Sequence, residues 1–140
     1  MATGTAASTA RQSAEQQVHY LRFKVNFGDA GTGVAVLKQW MPKGAIPLRA
    51  SVYKTTAWNS ATSAALSVGF AGGTGTELVS AADVKTATGV ASGTLSAAAL
   101  APLAADSQVQ ASVAFVGAPT AGALYVLIEY IPDNDQNVGQ

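Results

Sequence analysis

The sequence predicts an all-β fold: a jelly-roll-like antiparallel β-sandwich in a single domain, preceded by a mobile N-terminal arm. Three observations carry this. Apolar and polar residues alternate over residues 18–27, 46–56, 107–116 and 123–131, the period-two pattern of strands with one buried face. Glycine and proline clusters interrupt these runs at a spacing of roughly 10–15 residues, as in sandwiches and barrels. The chain has 140 residues, which suits one core rather than two.

The elements follow in order. Residues 1–17 carry too little apolar area to offset the entropy of ordering, so they read as the arm, with at most a short helix over 10–17. The sandwich domain spans 18–131 and a polar tail spans 132–140. In the first strand His19, Leu21, Phe23, Val25 and Phe27 share one face, and Tyr20, Arg22, Lys24 and Asn26 the other. Glycines at 28 and 31 break it, and a second strand runs over 33–40. Pro42-Lys43-Gly44 marks a turn in which Gly44 takes a left-handed corner only if the turn is offset by one residue. A third strand over 46–56 places Ile46, Leu48, Ala50 and Val52 inward; Pro47 lacks an amide donor, which predicts an edge strand or an irregular start. A turn at 58–61 leads to a strand over 64–70, with Leu66, Val68 and Phe70 inward.

After the flexible loop at 72–75, residues 77–84 read as one helical turn or a short irregular strand. Residues 85–105 hold a short strand around 90–95 and a loop with Pro102. The strand over 107–116 turns at 118–122 into the strand over 123–131, and the two read as a hairpin. Leu124, Val126, Ile128 and Tyr130 face one way, while Leu127 and Ile131 face the other, which predicts a central strand covered on both sides. The expected core is Leu21, Phe23, Val25, Leu48, Val52, Leu66, Val68, Val113, Phe115, Leu124, Val126 and Ile128.

Composition restricts function. There is no cysteine and one histidine, which removes disulfides, thiolate metal sites, cysteine nucleophiles and His-pair mechanisms. Eight basic and eight acidic residues balance to zero, without the basic excess of a nucleic-acid binder. No secretory apolar segment opens the chain and no run reaches membrane-span length, so neither export nor membrane association is expected. A triad would have to use His19, which sits on an apolar strand face. The carboxylates fall mostly in turns and tails; Glu129, inside a strand, can pair with Arg22 or Arg49. Asp133-Asn134-Asp135 lacks the rest of a calcium loop and reads as tail. The glycine clusters lack the strand-to-helix setting of a phosphate loop. The chain therefore reads as a non-enzyme, with no catalytic, cofactor or metal residues.

Charged residues are only 11% of the chain, against about 25% in a typical soluble domain. Such a neutral surface is either covered in an assembly or is the Ser/Thr coat of a secreted or thermally undemanding domain. Trp40, Met41, Tyr53 and Trp58, lying near turns in a chain poor in aromatics, are the candidate partner interface, with plugging of the sandwich ends as the alternative for the tryptophans.

The runs Trp40-Met41-Pro42-Lys43-Gly44-Ala45-Ile46-Pro47, Val52-Tyr53-Lys54-Thr55-Thr56-Ala57-Trp58-Asn59 and Leu66-Ser67-Val68-Gly69 resemble a turn-and-strand pattern of tailed-bacteriophage virion proteins. The closing strand through Gly122, Leu124, Val126 and Tyr130 is similar too; Trp58 stands where phenylalanine is usual, and Pro47 follows Ile46. At this length the chain most resembles a jelly-roll capsid cement, or decoration, protein of a short-tailed phage. The resemblance implies a homodimer made in the host cytoplasm. It would bind the outer surface of the head and bridge major capsid proteins to stabilise the shell. A fibre, spike or head–tail component, or a carbohydrate-binding sandwich, are the alternatives. The family brings no catalytic residues and no cofactor.

Overall fold

The computed structural model describes residues 18–132; the arm over 1–17 and the tail from 133 onward lie outside the described residues. Eight strands follow one another: β1 His19–Asn26, β2 Val36–Met41, β3 Ile46–Thr56, β4 Ser63–Phe70, β5 Val79–Asp83, β6 Gly89–Ser92, β7 Ser107–Val116 and β8 Ala123–Ile131. One short 3-10 helix, Ala97–Leu100, precedes β7. The strands form two four-stranded sheets, β1-β8-β3-β6 and β2-β7-β4-β5.

The pairings are nested. β1 pairs with β8, β2 with β7, β3 with β6 and β4 with β5, all antiparallel, as in one long hairpin folded at its middle. Two further pairings, β3 with β8 and β4 with β7, roll that hairpin onto itself. The result is the eight-stranded jelly roll with its two Greek keys.

This topology corrects two expectations. β7 and β8 are not a hairpin: β7 lies between β2 and β4, and β8 between β1 and β3 in the opposite sheet. The turn between them crosses from sheet to sheet because each strand continues one arm of the rolled hairpin. β3 is not an edge either, since it lies between β8 and β6. Pro47 is tolerated there because the register against β8 breaks between Pro47 and Arg49, and such a bulge leaves a residue without a ladder bond. The same bulge shifts the phase, so Pro47 points inward and Leu48, expected in the core, is 41% exposed.

The rest of the expected core holds. Phe23, Val25, Val52, Leu66, Val68, Val113, Leu124, Val126 and Ile128 are buried between the sheets, and Leu21 and Phe115 are half-buried against them. Residues 77–84 contain the short irregular strand β5, and its Val79 joins the core together with the flanking Leu78 and Val84. The expected strand around 90–95 is the shorter β6, and the second strand begins at Val36 rather than at residue 33. Met41 and Trp58 are also core residues, at 0% and 1% exposure.

Local chemistry closes the ends. The turn after β2 is offset by one residue: Ala45 N donates to Pro42 O at 3.2 Å and Gly44 has φ 82°. Trp58 plugs one end beneath the turn before β8, where a Cβ on Gly122 would come within 2.5 Å of the indole. Asn59 clamps that turn, accepting from the amides of Thr120 and Ala121 at 2.8 and 3.0 Å and donating to Thr120 Oγ1 at 2.8 Å. Between the sheets, Lys38 Nζ and Gln39 Nε2 of β2 donate to the carbonyls of Lys24 and Arg22 in β1, at 2.8 and 3.0 Å.

Candidate interaction surface

Alternation along each strand sends one set of side chains into the core and leaves the other set outside. The two outer faces differ sharply. On the β2-β7-β4-β5 sheet, Gln108, Gln110, Ser112 and Ala114 of β7 point outward, with Ser67 opposite Ser112 and Ala65 opposite Ala114. That face is built mostly of small uncharged side chains, with Asp83 opposite Ala65 at its β5 edge and Leu37 and Trp40 exposed along its β2 edge.

The outer face of the β1-β8-β3-β6 sheet is built from larger side chains in cross-strand rows. One row places Tyr20 opposite Glu129, and Glu129 opposite Arg49. The next sets Arg22 opposite Leu127, Leu127 opposite Ser51, and Ser51 opposite Ser92. The third sets Lys24 opposite Tyr125, Tyr125 opposite Tyr53, and Tyr53 opposite Val90. Because Ser51 is short between larger neighbours, the face dips there. Arg22, Ser51, Tyr53, Val90, Tyr125 and Leu127 line a groove of about 430 Å³. Tyr53 is 52% exposed and Val90 71%. Leu48, Val18 and Ile131 extend the exposed apolar surface beyond the Tyr20 row.

The charged groups on this face are held in place. Arg49 donates to both oxygens of Glu129 at 2.8 and 2.9 Å. That hydrogen bonding, and then the charge of the carboxylate, push the guanidinium above its ordinary pKa. The Arg22 guanidinium lies 4.5 Å from the centre of the Tyr125 ring, and the Lys24 ammonium 5.9 Å from it, a cation–π arrangement that fixes both at the groove rim.

The four residues singled out from sequence do not come together. Met41 and Trp58 are buried inside the sandwich, the indole of Trp58 against Gly122. Trp40, 59% exposed, belongs to the β2-β7-β4-β5 sheet and Tyr53 to the other. Tyr20, Val90, Tyr125 and Leu127 went unselected. Of these, Leu127 has a sequence signal in the second apolar face of β8, which reads as coverage on both sides; β8 is central, yet among the described residues only its inner face is covered.

Chemically the site offers shape, apolar area and two cations. No group of three His, Cys, Asp or Glu among the described residues could hold a metal ion. No helix among them is long and apolar enough to cross a membrane.

No family model matches the sequence, and no curated protein matches it. Three solved structures share the fold. A chain of the cyanophage Pam1 capsid asymmetric unit superposes with a TM-score of 0.70 at 22% identity, covering 88% of this chain and 90% of that one. A chain of the acidic stable capsid of Helicobacter pylori bacteriophage KHP30 matches with a TM-score of 0.59 at 14% identity, covering 83% and 89%. A chain of the capsid of Ralstonia phage GP4 matches with a TM-score of 0.56 at 19% identity, covering 91% and 92%. At these identities the likeness establishes the sandwich fold. In each case about nine-tenths of the matched chain is covered, so those chains are of about this size.

Proposed function

We propose that the chain is a structural component of a phage virion, a cement or decoration protein that binds the outside of the head and bridges major capsid proteins. The observation that carries this reading is the end-to-end correspondence with chains in three phage capsid structures. Fold alone does not select a task, since jelly rolls serve in both capsids and lectins. The surface adds support. A chain with 11% charged residues and an exposed apolar sheet face is built to be covered. Many modest identical contacts on a lattice add up through avidity, which is what a shell under internal pressure requires.

The proposed solution state is a homodimer. The strand beginning at Ile46 cannot form it, because β3 is internal; of the outer strands, β1 and β2 are bridged to each other and β5 accepts from Lys54 at the Asp83 carbonyl, so β6 is the sheet edge without such a side-chain bridge among the described residues. Trp40 and Tyr53, exposed on opposite sheets, are the selected residues that remain able to meet partners.

The test is imaging of the native particle. A cement role predicts hundreds of copies spread over the outer surface of the head. A handful of copies at the tail vertex would instead identify a fibre, spike or head–tail component. Specific glycan binding by the purified chain, without affinity for shells, would favour the carbohydrate-binding reading, for which Tyr53 and Tyr125 in the groove are the relevant side chains.

A further inference from the structure

We infer that the outer face of the β1-β8-β3-β6 sheet is the docking face, and that its partner is a protein surface presenting a bulky apolar side chain with carboxylates beside it. The inference rests on the virion reading and names the surface and chemistry of that contact.

The first ground is the uncovered second face of β8. Antiparallel sheets usually alternate apolar inward with polar outward. Here Tyr125 and Leu127 point outward from a central strand, beside Tyr53 and Val90. The corresponding positions of β7, the central strand of the other sheet, are Gln108, Gln110, Ser112 and Ala114. Both strands have two flanking neighbours, so position in a sheet does not account for the difference. The groove, with Leu127 and Ser51 as floor and two tyrosines and a valine as walls, has room for one or more large apolar side chains.

The second ground is charge. The chain as a whole is neutral, but among the described residues this face holds three cations, Arg22, Lys24 and Arg49, against Glu129. Glu129 is occupied by Arg49. The other described carboxylates sit elsewhere: Asp29 accepts from Asn26 in the turn after β1, Glu77 accepts from Phe70, Asp83 from Lys85, and Asp106 from Lys43. Arg22 at the groove and Lys24 beside it both lie over Tyr125, with no carboxylate partner among the described residues. A second copy placed on this face would oppose cations to cations. A saccharide would leave the apolar walls poorly used. An acidic and apolar protein surface satisfies both the groove and its rim.

The experiment uses the full chain and shells of its own phage from which it has been stripped, with binding read by co-sedimentation. Arg22→Glu with Lys24→Glu should weaken binding about tenfold or more, because like charges then face each other across the contact. Val90→Asp should weaken it as well. Ala114→Arg, an exposed change on the other sheet, should bind as the unaltered chain does. Circular dichroism confirms that each variant is folded. A photo-crosslinker at residue 127 should capture a shell segment containing aspartate or glutamate. If the unaltered chain does not bind shells, the virion reading fails and this inference with it. If it binds, and Ala114→Arg loses affinity while the charge reversals keep it, the docking face is overturned and the virion reading stands. Conversion of dimer to monomer by the charge reversals, with shell affinity intact, would mark the face as a self-contact and equally overturn the inference.

Discussion

Trp58 and Gly122 form a contact with no spare room. A methyl group on Gly122 would overlap the indole, with its nearest atom at 2.5 Å. Gly122→Ala should therefore destabilise the chain by about 2 kcal/mol or more, as overpacked cores do, visible as a lower denaturant midpoint. The indole Nε1 is buried without a hydrogen-bond partner among the described residues, which carries its own desolvation cost. Trp58→Phe removes that orphan donor along with some packing area, so its net change should stay within about 1 kcal/mol. A large loss on Trp58→Phe would mean that packing dominates.

Glu77 gives a second residue-scale prediction. Burial pushes its carboxyl upward in pKa, but donation from its own amide, from those of Phe70 and Thr74, and from the Thr74 side chain outweighs this and leaves it below the ordinary value. A depressed carboxyl stabilises the fold above the unfolded-state value and loses that contribution as pH falls through its folded value. Unfolding free energy should therefore decline as pH falls below the ordinary glutamate value of 4.5, with a slope that Glu77→Gln makes shallower. At neutral pH, Glu77→Gln should cost about 1–2 kcal/mol, since one amide loses its charged acceptor. Equal slopes for the two proteins would show that the loop is not held by this carboxylate.

At the scale of the element, β3 shows how one irregularity re-addresses a strand. The bulge between Pro47 and Arg49 places Leu48 outside, while Val52, beyond it, is fully buried. Leu48→Ser should change stability by no more than about 0.5 kcal/mol, whereas Val52→Ala should cost about 2 kcal/mol through lost transfer energy and a cavity. Chemical denaturation of both variants checks this. Comparable losses would mean that the strand keeps an unbroken register. Strict alternation from Ile46 could not reveal the bulge, because the sequence contains no extra polar residue to mark the phase change. Pro47 was the one local hint, and it was compatible with an edge as well as with a bulge.

At the scale of the whole molecule, every strand pairing among the described residues lies between His19 and Ile131. Removing residues 1–17 should leave the melting temperature and the β-type circular dichroism spectrum unchanged. Under the virion reading the same truncation should reduce retention on shells, because ~15 extended residues can reach about 50 Å to a neighbouring subunit. A truncated chain that melts early would show that the segment belongs to the folded domain; one that binds shells as well as the full chain would remove the arm from the contact.

Strand class, most strand positions and the inward face of most strands are legible in the sequence, because period-two alternation and Gly/Pro turns are local signals. The missing cysteines and the single histidine are likewise read directly from the sequence, and they exclude disulfides, thiolate metal sites and His-pair mechanisms whatever the fold. Partner choice among strands was decided only in three dimensions. Two strands joined by a tight turn look like a hairpin locally, yet β7 and β8 bond to different sheets because the long-range pairings β1–β8 and β2–β7 claim them. The interaction surface is of the same kind. Tyr53, Val90, Tyr125 and Leu127 come from three separate strands, and only the order β1-β8-β3-β6 brings them side by side. Trp58 shows the converse: a large aromatic near a turn signals buried area, but whether core or partner does the burying depends on what lies across from it, and here that is Gly122.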